Sequence, residues 1–355
     1  MRMVDLRPTS PSSTLELHVR SSAGAELLRL IGVLVDLDGT QNYDVGPDRI
    51  VHAREQLPDG VLDELTDLDV VDNSFHVLSL LAADLPDPTG VDQLLATLED
   101  DPEIAWRLLL GHYATTHHAG SRELGERVAA GEQEAIDHVC SFEADGQNPV
   151  DRIVQLDPTT HGARLLAAIR GVCDLWETLE REAMGAIARD VAYRQRQHED
   201  GQDVASIVLE ATNGYELSTD ASIRRVLLLP SFWIRPWIVL GTRGDAEVLT
   251  TSVADQFVSL PSEAPSPALL RLFKALGDES RLKLLRRMAA GPISLSEATG
   301  ELDVAKATAH HHLSILRQAG LVSTRGEGRG SRYSLREDPP EAARAALASY
   351  VHPSR

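Results

Sequence analysis

Cysteine is nearly absent: the 355 residues contain two, Cys140 and Cys173. Two thiols cannot build a disulfide framework or a thiolate metal cluster, so a reducing, cytoplasmic setting is expected. Aromatic residues are scarce as well, at 4%. No apolar stretch reaches the roughly 18–20 uncharged residues that a membrane span needs, and no membrane partner is expected. The opening "MRMVDLRPTSPSSTLELHVR" lacks the apolar run of a secretory signal. Its Pro and Ser predict fraying over about the first dozen residues. Also missing are a phosphate-cradling glycine loop, a GxSxG nucleophile elbow and paired zinc cysteines. No cofactor and no resident metal are therefore expected.

The remaining composition is that of a soluble globular chain, with 43% apolar and 25% charged residues. The length suffices for two or three domains. The net charge of −20 argues against nucleic acid only as an average. Residues 266–336 hold twelve Lys/Arg against six Asp/Glu, a net +6, whereas the remainder holds 22 against 48, a net −26. A small basic module on a large acidic body is the asymmetry of a nucleic-acid-binding domain joined to a partner domain.

Apolar residues at helical spacing predict helices over about 26–35, 60–68, 76–83, 91–98, 102–118, 121–143 and 161–195. The last carries the stripe Leu166, Ile169, Val172, Leu175, Trp176 and Leu179, so Cys173 and Trp176 read as packing residues. Near residue 222 the chain becomes β-branched and aromatic. "IRRVLLLPSFWIRPWIVLG" and "AEVLTTSV", split by the turn "GTRGD", predict a β-hairpin within 222–254. Pro230 and Pro236 place parts of it at an edge or in a loop. Phe232, Trp233 and Trp237 concentrate three of the few aromatics and are either core or the wall of a ligand pocket. "PSEAPSP" (261–267) reads as a linker. The expected organisation is a mainly α (α+β) chain. Residues 1–260 form a helical domain with a small antiparallel β portion, and residues 268–355 form a second domain.

That second part is clearly punctuated. Leu269, Leu270, Phe273 and Leu276 make a short helix closed by Gly277, and Asp278 suits the N-cap of the next helix. Ser294 and Glu297 form a capping box, Asp303–Val304 a tight turn, and a further helix runs from about Ala305 to Ala319 with Gly320 closing it. "LVSTR", "GEGRG" and "SRYSL" then read as strand, turn and strand. A helix-turn-helix followed by a β-hairpin is a winged helix.

The stretch "LFKALGDESRLKLLRRMAAGPISLSEATGELDVAKATAHHHLSILRQAGLVSTRGEGRGSRYSL" resembles the winged-helix domain of the ArsR-type transcriptional regulators. The resemblance lies in the "ALGDESRLKLL" opening, the turn before the recognition helix, the "HLSILRQAGLV" end of that helix and the wing. It spans about a fifth of the chain. It implies a homodimer built on the helices flanking the winged helix, here 267–277 and "PEAARAALASYV". It also implies a repressor that binds a partly palindromic double-stranded operator and is released by an effector such as a small molecule. The metal-sensing members carry a cysteine pair where this chain has "SLSEATGELDV", and their second site finds only Asp338, Glu341 and His352 here. Metal sensing is therefore not expected. The long N-terminal region resembles larger ArsR-type proteins whose N-terminal domain has no assigned role.

Three consecutive histidines, His310, His311 and His312, lie in the recognition helix. Consecutive helical residues fan over about 200°, so the three cannot converge on one ion. His312 shares the inward side with Ala309, Leu313 and Leu316. Ala307, His310, His311 and Ser314 share the opposite side. That side, with Lys306 and Thr308, is expected to read bases and phosphates in the major groove. Arg325, Arg329 and Arg332 of the wing are expected on phosphate or minor groove, and Arg317 on phosphate or in solvent.

Two other motifs carry residues of catalytic or metal-binding type. "GVLVDLDGT" (32–40) matches the first motif of haloacid-dehalogenase-like phosphatases, with Asp36 as nucleophile and Asp38 as acid/base. The other parts of such a site and the alternating strand–helix pattern are missing, and helical periodicity before Asp36 makes the motif a helix exit. "HYATTHH" (His112, His117, His118), with His138 and His161, does not have the spacing of a one-face helical metal pair. The chain is not expected to be an enzyme.

Overall fold

The computed structural model describes residues 15–71, 73–83, 85, 90–117, 122–141, 149–217, 220, 222–258, 265–325 and 331–336, with 344, 347, 348, 350 and 351 of a last helix. The first dozen residues, most of the linker, Arg329 in the wing turn, Asp338, Glu341, His352 and the side chains of His117 and His118 lie outside the described residues.

The chain begins with β1 (Glu16–Val19) and α1 (Ala23–Val35), then runs through α2 (Pro47–Glu55), α3 (Val61–Leu68), α4 (Ser74–Leu78), α5 (Val91–Asp100) and α6 (Ile104–His117). It continues through α7 (Arg122–Ala129), α8 (Gln133–Cys140), α9 (Pro149–Val154), α10 (Pro158–Arg170), α11 (Cys173–Glu199) and α12 (Val204–Ala211). The strands β2 (Tyr215–Glu216), β3 (Arg225–Ser231), β4 (Val239–Arg243) and β5 (Ala246–Ser252) follow.

α1 is the central helix. Ser22 caps it by accepting from the Ala25 amide at 3.1 Å, and every residue from Gly24 to Val35 is buried. A helix that is apolar nearly all round belongs in a core. Its two charged residues are tied to the sheet. Glu26 Oε1 accepts from the amides of Phe232 (2.7 Å) and Trp233 (3.0 Å), and Arg29 donates to Thr250 Oγ1 at 2.8 Å. The helix ends at Asp36, whose carboxylate accepts from the Gly39 amide (2.9 Å) and the Tyr43 hydroxyl (3.0 Å). The dehalogenase-like motif is thus a helix end and a turn, with no strand delivering Asp36.

The sheet has the order β1-β3-β5-β4. The expected hairpin is confined to β4 and β5, which pair antiparallel. β3 pairs in parallel with both β1 and β5, so the sheet is mixed rather than antiparallel. The cause is burial on both faces. Leu227, Leu229 and Val248 join the large helical core, while Val226, Leu228 and Leu249 pack against Ile207, Val208 and Ala211 of α12. A strand covered on both sides reads as a continuous apolar run, here "RVLLLPS", and that is the signature of parallel sheets. Two long helices expected from periodicity are each divided. Gly131, with φ of 83°, follows α7, and Gly171–Val172 separates α10 from α11. The helices α2, α9 and α12 were not anticipated.

The winged helix consists of α13 (Pro267–Leu276), α14 (Glu279–Met288), β6 (Ile293–Ser294), α15 (Leu295–Leu302), α16 (Lys306–Gln318), β7 (Val322–Arg325) and β8 (Arg332–Leu335). The expected caps are present. Asp278 Oδ1 accepts from the Arg281 amide at 2.9 Å, and Ser294 and Glu297 form a reciprocal capping box. It has its own core, centred on Leu284, Ile293, Ala298, Leu313 and Leu316. Its wing is joined by a strand from the N-terminal half: the sheet order is β2-β7-β8-β6, with β2 parallel to β7. No helix among the described residues is long and apolar enough to cross a membrane.

Candidate nucleic-acid interface

α16 follows a turn in which Asp303 takes a left-handed conformation (φ 53°), one that Asp tolerates better than most residues. Ala309, Leu313 and Leu316 fix its inward face, all fully buried. His312 is half-buried, with Nδ1 3.8 Å from Oδ1 of the α14 cap Asp278, so it bridges two helices of the winged-helix core.

On the outward face, Lys306, Ala307 and Thr308 are exposed. His310, His311, Ser314 and Arg317 line a cleft of about 760 Å³ between the winged helix and the N-terminal half. The His311 imidazole stacks on the Trp237 indole across it, with ring centres 6.3 Å apart and planes inclined by 26°. His310 and His311 border the cleft and are themselves exposed. Burial, then Arg317 and neighbouring His311 and Lys306, lowers the pKa of His310; burial, then His312 and Arg281, lowers that of His311. Burial also lowers the Arg317 pKa to about 10, partly offset by Tyr333.

Arg317 is neither on solvent nor free for a phosphate in this arrangement. It is 7% exposed and donates from Nη1 to the Thr212 carbonyl at 2.6 Å. The segment after α12 clasps the winged helix at further points. The Asn213 side-chain amide donates to the Gln318 carbonyl, the Thr324 amide donates to the Gly214 carbonyl (2.7 Å), and Glu216 pairs with Arg325 (2.6 Å). Gly214 permits this approach. Its φ is 121°, and a Cβ there would stand 2.7 Å from the Val322 carbonyl oxygen. Sequence reasoning missed this clasp, although Asn213-Gly214 is itself a turn signal. Arg332 bonds Glu297 Oε2 at 2.9 Å within the winged helix.

Of the aromatic trio, only Trp237 lines the cleft. Phe232 and Trp233 are 2% and 0% exposed, belong to the core, and lie under the Arg49 guanidinium at 5.2 and 5.0 Å. His112 reaches the cleft, His161 is buried and His138 is exposed. Among the described residues, no group of three or more His, Cys, Asp or Glu is placed to hold a metal ion.

Half of α16's outward face is therefore open and half is turned toward the chain's own N-terminal domain. A recognition helix enters a major groove about 12 Å wide along its length.

Comparison with known proteins matches residues 276–325 to a family described as a helix-turn-helix domain. An uncharacterised HTH-type transcriptional regulator of Bacillus subtilis, YceK, is 41% identical over 70 residues, covering 19% of this chain and 70% of that protein. The biofilm growth-associated repressor of Agrobacterium fabrum is 37% identical over 96 residues, covering 25% of this chain and 80% of the repressor. A crystallised ArsR family transcriptional regulator is 30% identical and has 99% of its length covered by 25% of this chain, with a TM-score of 0.22. All three matches are confined to a quarter of the chain or less. On the sequence relationships the chain belongs to the HTH-type transcriptional regulators.

Proposed function

We propose that the protein is a dimeric repressor that binds a partly palindromic operator and is switched by closure of its N-terminal domain, residues 1–260, over the recognition helix. Lys306, Ala307, Thr308, His310, His311 and Ser314 read base edges in this proposal. Arg325, Arg329 and Arg332 hold the backbone, and Arg317 joins them only once it has left Thr212. The observation that carries the reading is the basic winged helix with Lys306, Ala307 and Thr308 exposed at the N-terminal end of α16. That end is the part of a recognition helix that meets bases.

Dimerisation is supported by the exposed apolar side chains on the flanking helices. Leu270 and Phe273 of α13 are 48% and 43% exposed, and Leu347, Tyr350 and Val351 share one face of the last helix at 42–56%. Two copies then present two recognition helices to successive major grooves. The test is footprinting of the upstream region of its own gene with the full chain at physiological salt. A protected, two-fold-related sequence is expected, and equal affinity for random DNA overturns the specific-repressor reading.

A further inference from the structure

In the cleft between the two halves, Arg317 has no carboxylate partner among the described residues. It is buried there, with one bond to the Thr212 carbonyl. The carboxylate that does reach the cleft, Asp36, is occupied by the Gly39 amide and the Tyr43 hydroxyl. A buried guanidinium without a counter-charge is unfavourable, and proteins keep one where a ligand supplies the charge.

One further polar atom on a cleft-lining residue is unsatisfied. Thr324 Oγ1 of the wing is buried without a hydrogen-bond partner, on a residue 9% exposed. Buried polar groups are almost always partnered, so this orphan beside Arg317 points to an absent ligand. The rest of the wall mixes aliphatic, aromatic and polar side chains, with Trp237 and Tyr43 among the aromatics on the N-terminal side. At about 760 Å³ the space lies within the usual range of small-molecule sites.

We propose that this cleft binds a small aromatic carboxylate, its carboxylate facing Arg317 and its ring against Trp237 and Tyr43. The inference deepens the proposed repressor function, because His310, His311 and Arg317 of α16 form one wall of the site. A ligand bridging both walls stabilises the closed arrangement and withholds the helix from DNA. It is therefore an inducer, and DNA lowers ligand affinity by the same factor as ligand lowers DNA affinity.

The test is titration calorimetry of the full chain, without DNA, using naphthoate, the neutral naphthalenemethanol and inorganic phosphate as probes. Naphthoate is expected to bind about tenfold or more tightly than the neutral probe, since a charge-assisted contact to Arg317 is lost with the carboxylate. Arg317→Met is expected to weaken naphthoate by about tenfold or more. Thr324→Val, nearly isosteric, is expected to weaken it by a few-fold while leaving circular dichroism and Tm unchanged. No heat from millimolar naphthoate, equal affinity for the neutral probe, binding of phosphate alone, or an unchanged Kd in Thr324→Val overturns the site. A second arm adds naphthoate to the protein–operator complex. Release of DNA supports the inducer role. Naphthoate that binds the free protein but leaves the complex intact overturns that role and leaves the site standing. A protein that binds naphthoate but no operator overturns the repressor reading instead.

Discussion

His311 of the recognition helix stacks on Trp237 of the N-terminal half, ring centres 6.3 Å apart and nearly parallel. A residue proposed to read DNA is thus a packing partner within its own chain. In the proposed mechanism DNA affinity depends on the balance between a closed arrangement and an open one, and any contact made only in the closed state lowers it.

The Glu216–Arg325 pair is such a contact. Glu216 lies on β2 of the N-terminal half, Arg325 on the wing, and the pair is partly exposed. Glu216→Gln removes the attraction and returns Arg325 to the DNA. An increase in operator affinity of about two- to fivefold is expected, the range of a partly screened ion pair. Gel-shift titration of both proteins at one salt concentration checks this. Unchanged or weaker binding means that closure does not control access.

The basic residues should divide into two classes. Lys306→Ala and His310→Ala change groups assigned to base edges, so each is expected to reduce discrimination between operator and random DNA by about tenfold. Arg332→Ala, on the wing, is expected to weaken both DNAs alike and to lower the slope of log K against log salt by about one. Salt-dependent binding of each variant to the two DNAs decides. Identical behaviour of Lys306→Ala and Arg332→Ala defeats the assignment.

Local chemistry made the winged helix legible. Asp278, Ser294 with Glu297 and Gly320 each act on backbone within a few residues, and each sits where its caps and turns imply. The sheet was not legible in the same way. β1 pairs with β3 across about two hundred residues, and no local pattern announces such a partner. The run "RVLLLPS" reads as a hairpin strand until both of its faces are found covered. The orientation of α16 was hidden for a related reason. Periodicity separates an inward from an outward face, but it does not say whether the outward face meets solvent, DNA or another domain. His310 and Arg317 look alike as surface groups, yet one borders a cleft and the other is buried against Thr212.

Phe273 tests the dimer. It is 43% exposed on α13 beside the equally open Leu270, so a substitution there disturbs little within one chain. In a dimer interface, Phe273→Glu buries a charge against a second copy. The dimer dissociation constant is expected to rise by about a hundredfold or more. Analytical ultracentrifugation reads the change, with Tm as a control for the fold. A variant that remains as dimeric as the parent places the interface elsewhere.

His76 is a source of pH dependence in the fold. It lies on α4 against α1, where Gly32 makes room: a Cβ at that position would fall 2.4 Å from the ring. Burial, with a smaller contribution from Arg29, lowers its pKa from the ordinary 6.5 to about 4, so it is neutral in the folded protein at pH 7. The unfolded chain takes up the proton first as pH falls. Stability from this residue is therefore complete above pH 6.5 and is lost between 6.5 and about 4, by roughly 3 kcal/mol in all. His76→Gln keeps a polar side chain but cannot titrate. Thermal unfolding of both proteins from pH 7.5 to 4.5 should show the parent losing more Tm than the variant, with the gap opening below about 6.5. Contributions from other groups, including the buried Glu26–Arg29 pair, are common to both and cancel in the difference. Parallel Tm curves would mean that the imidazole titrates alike in the folded and unfolded states.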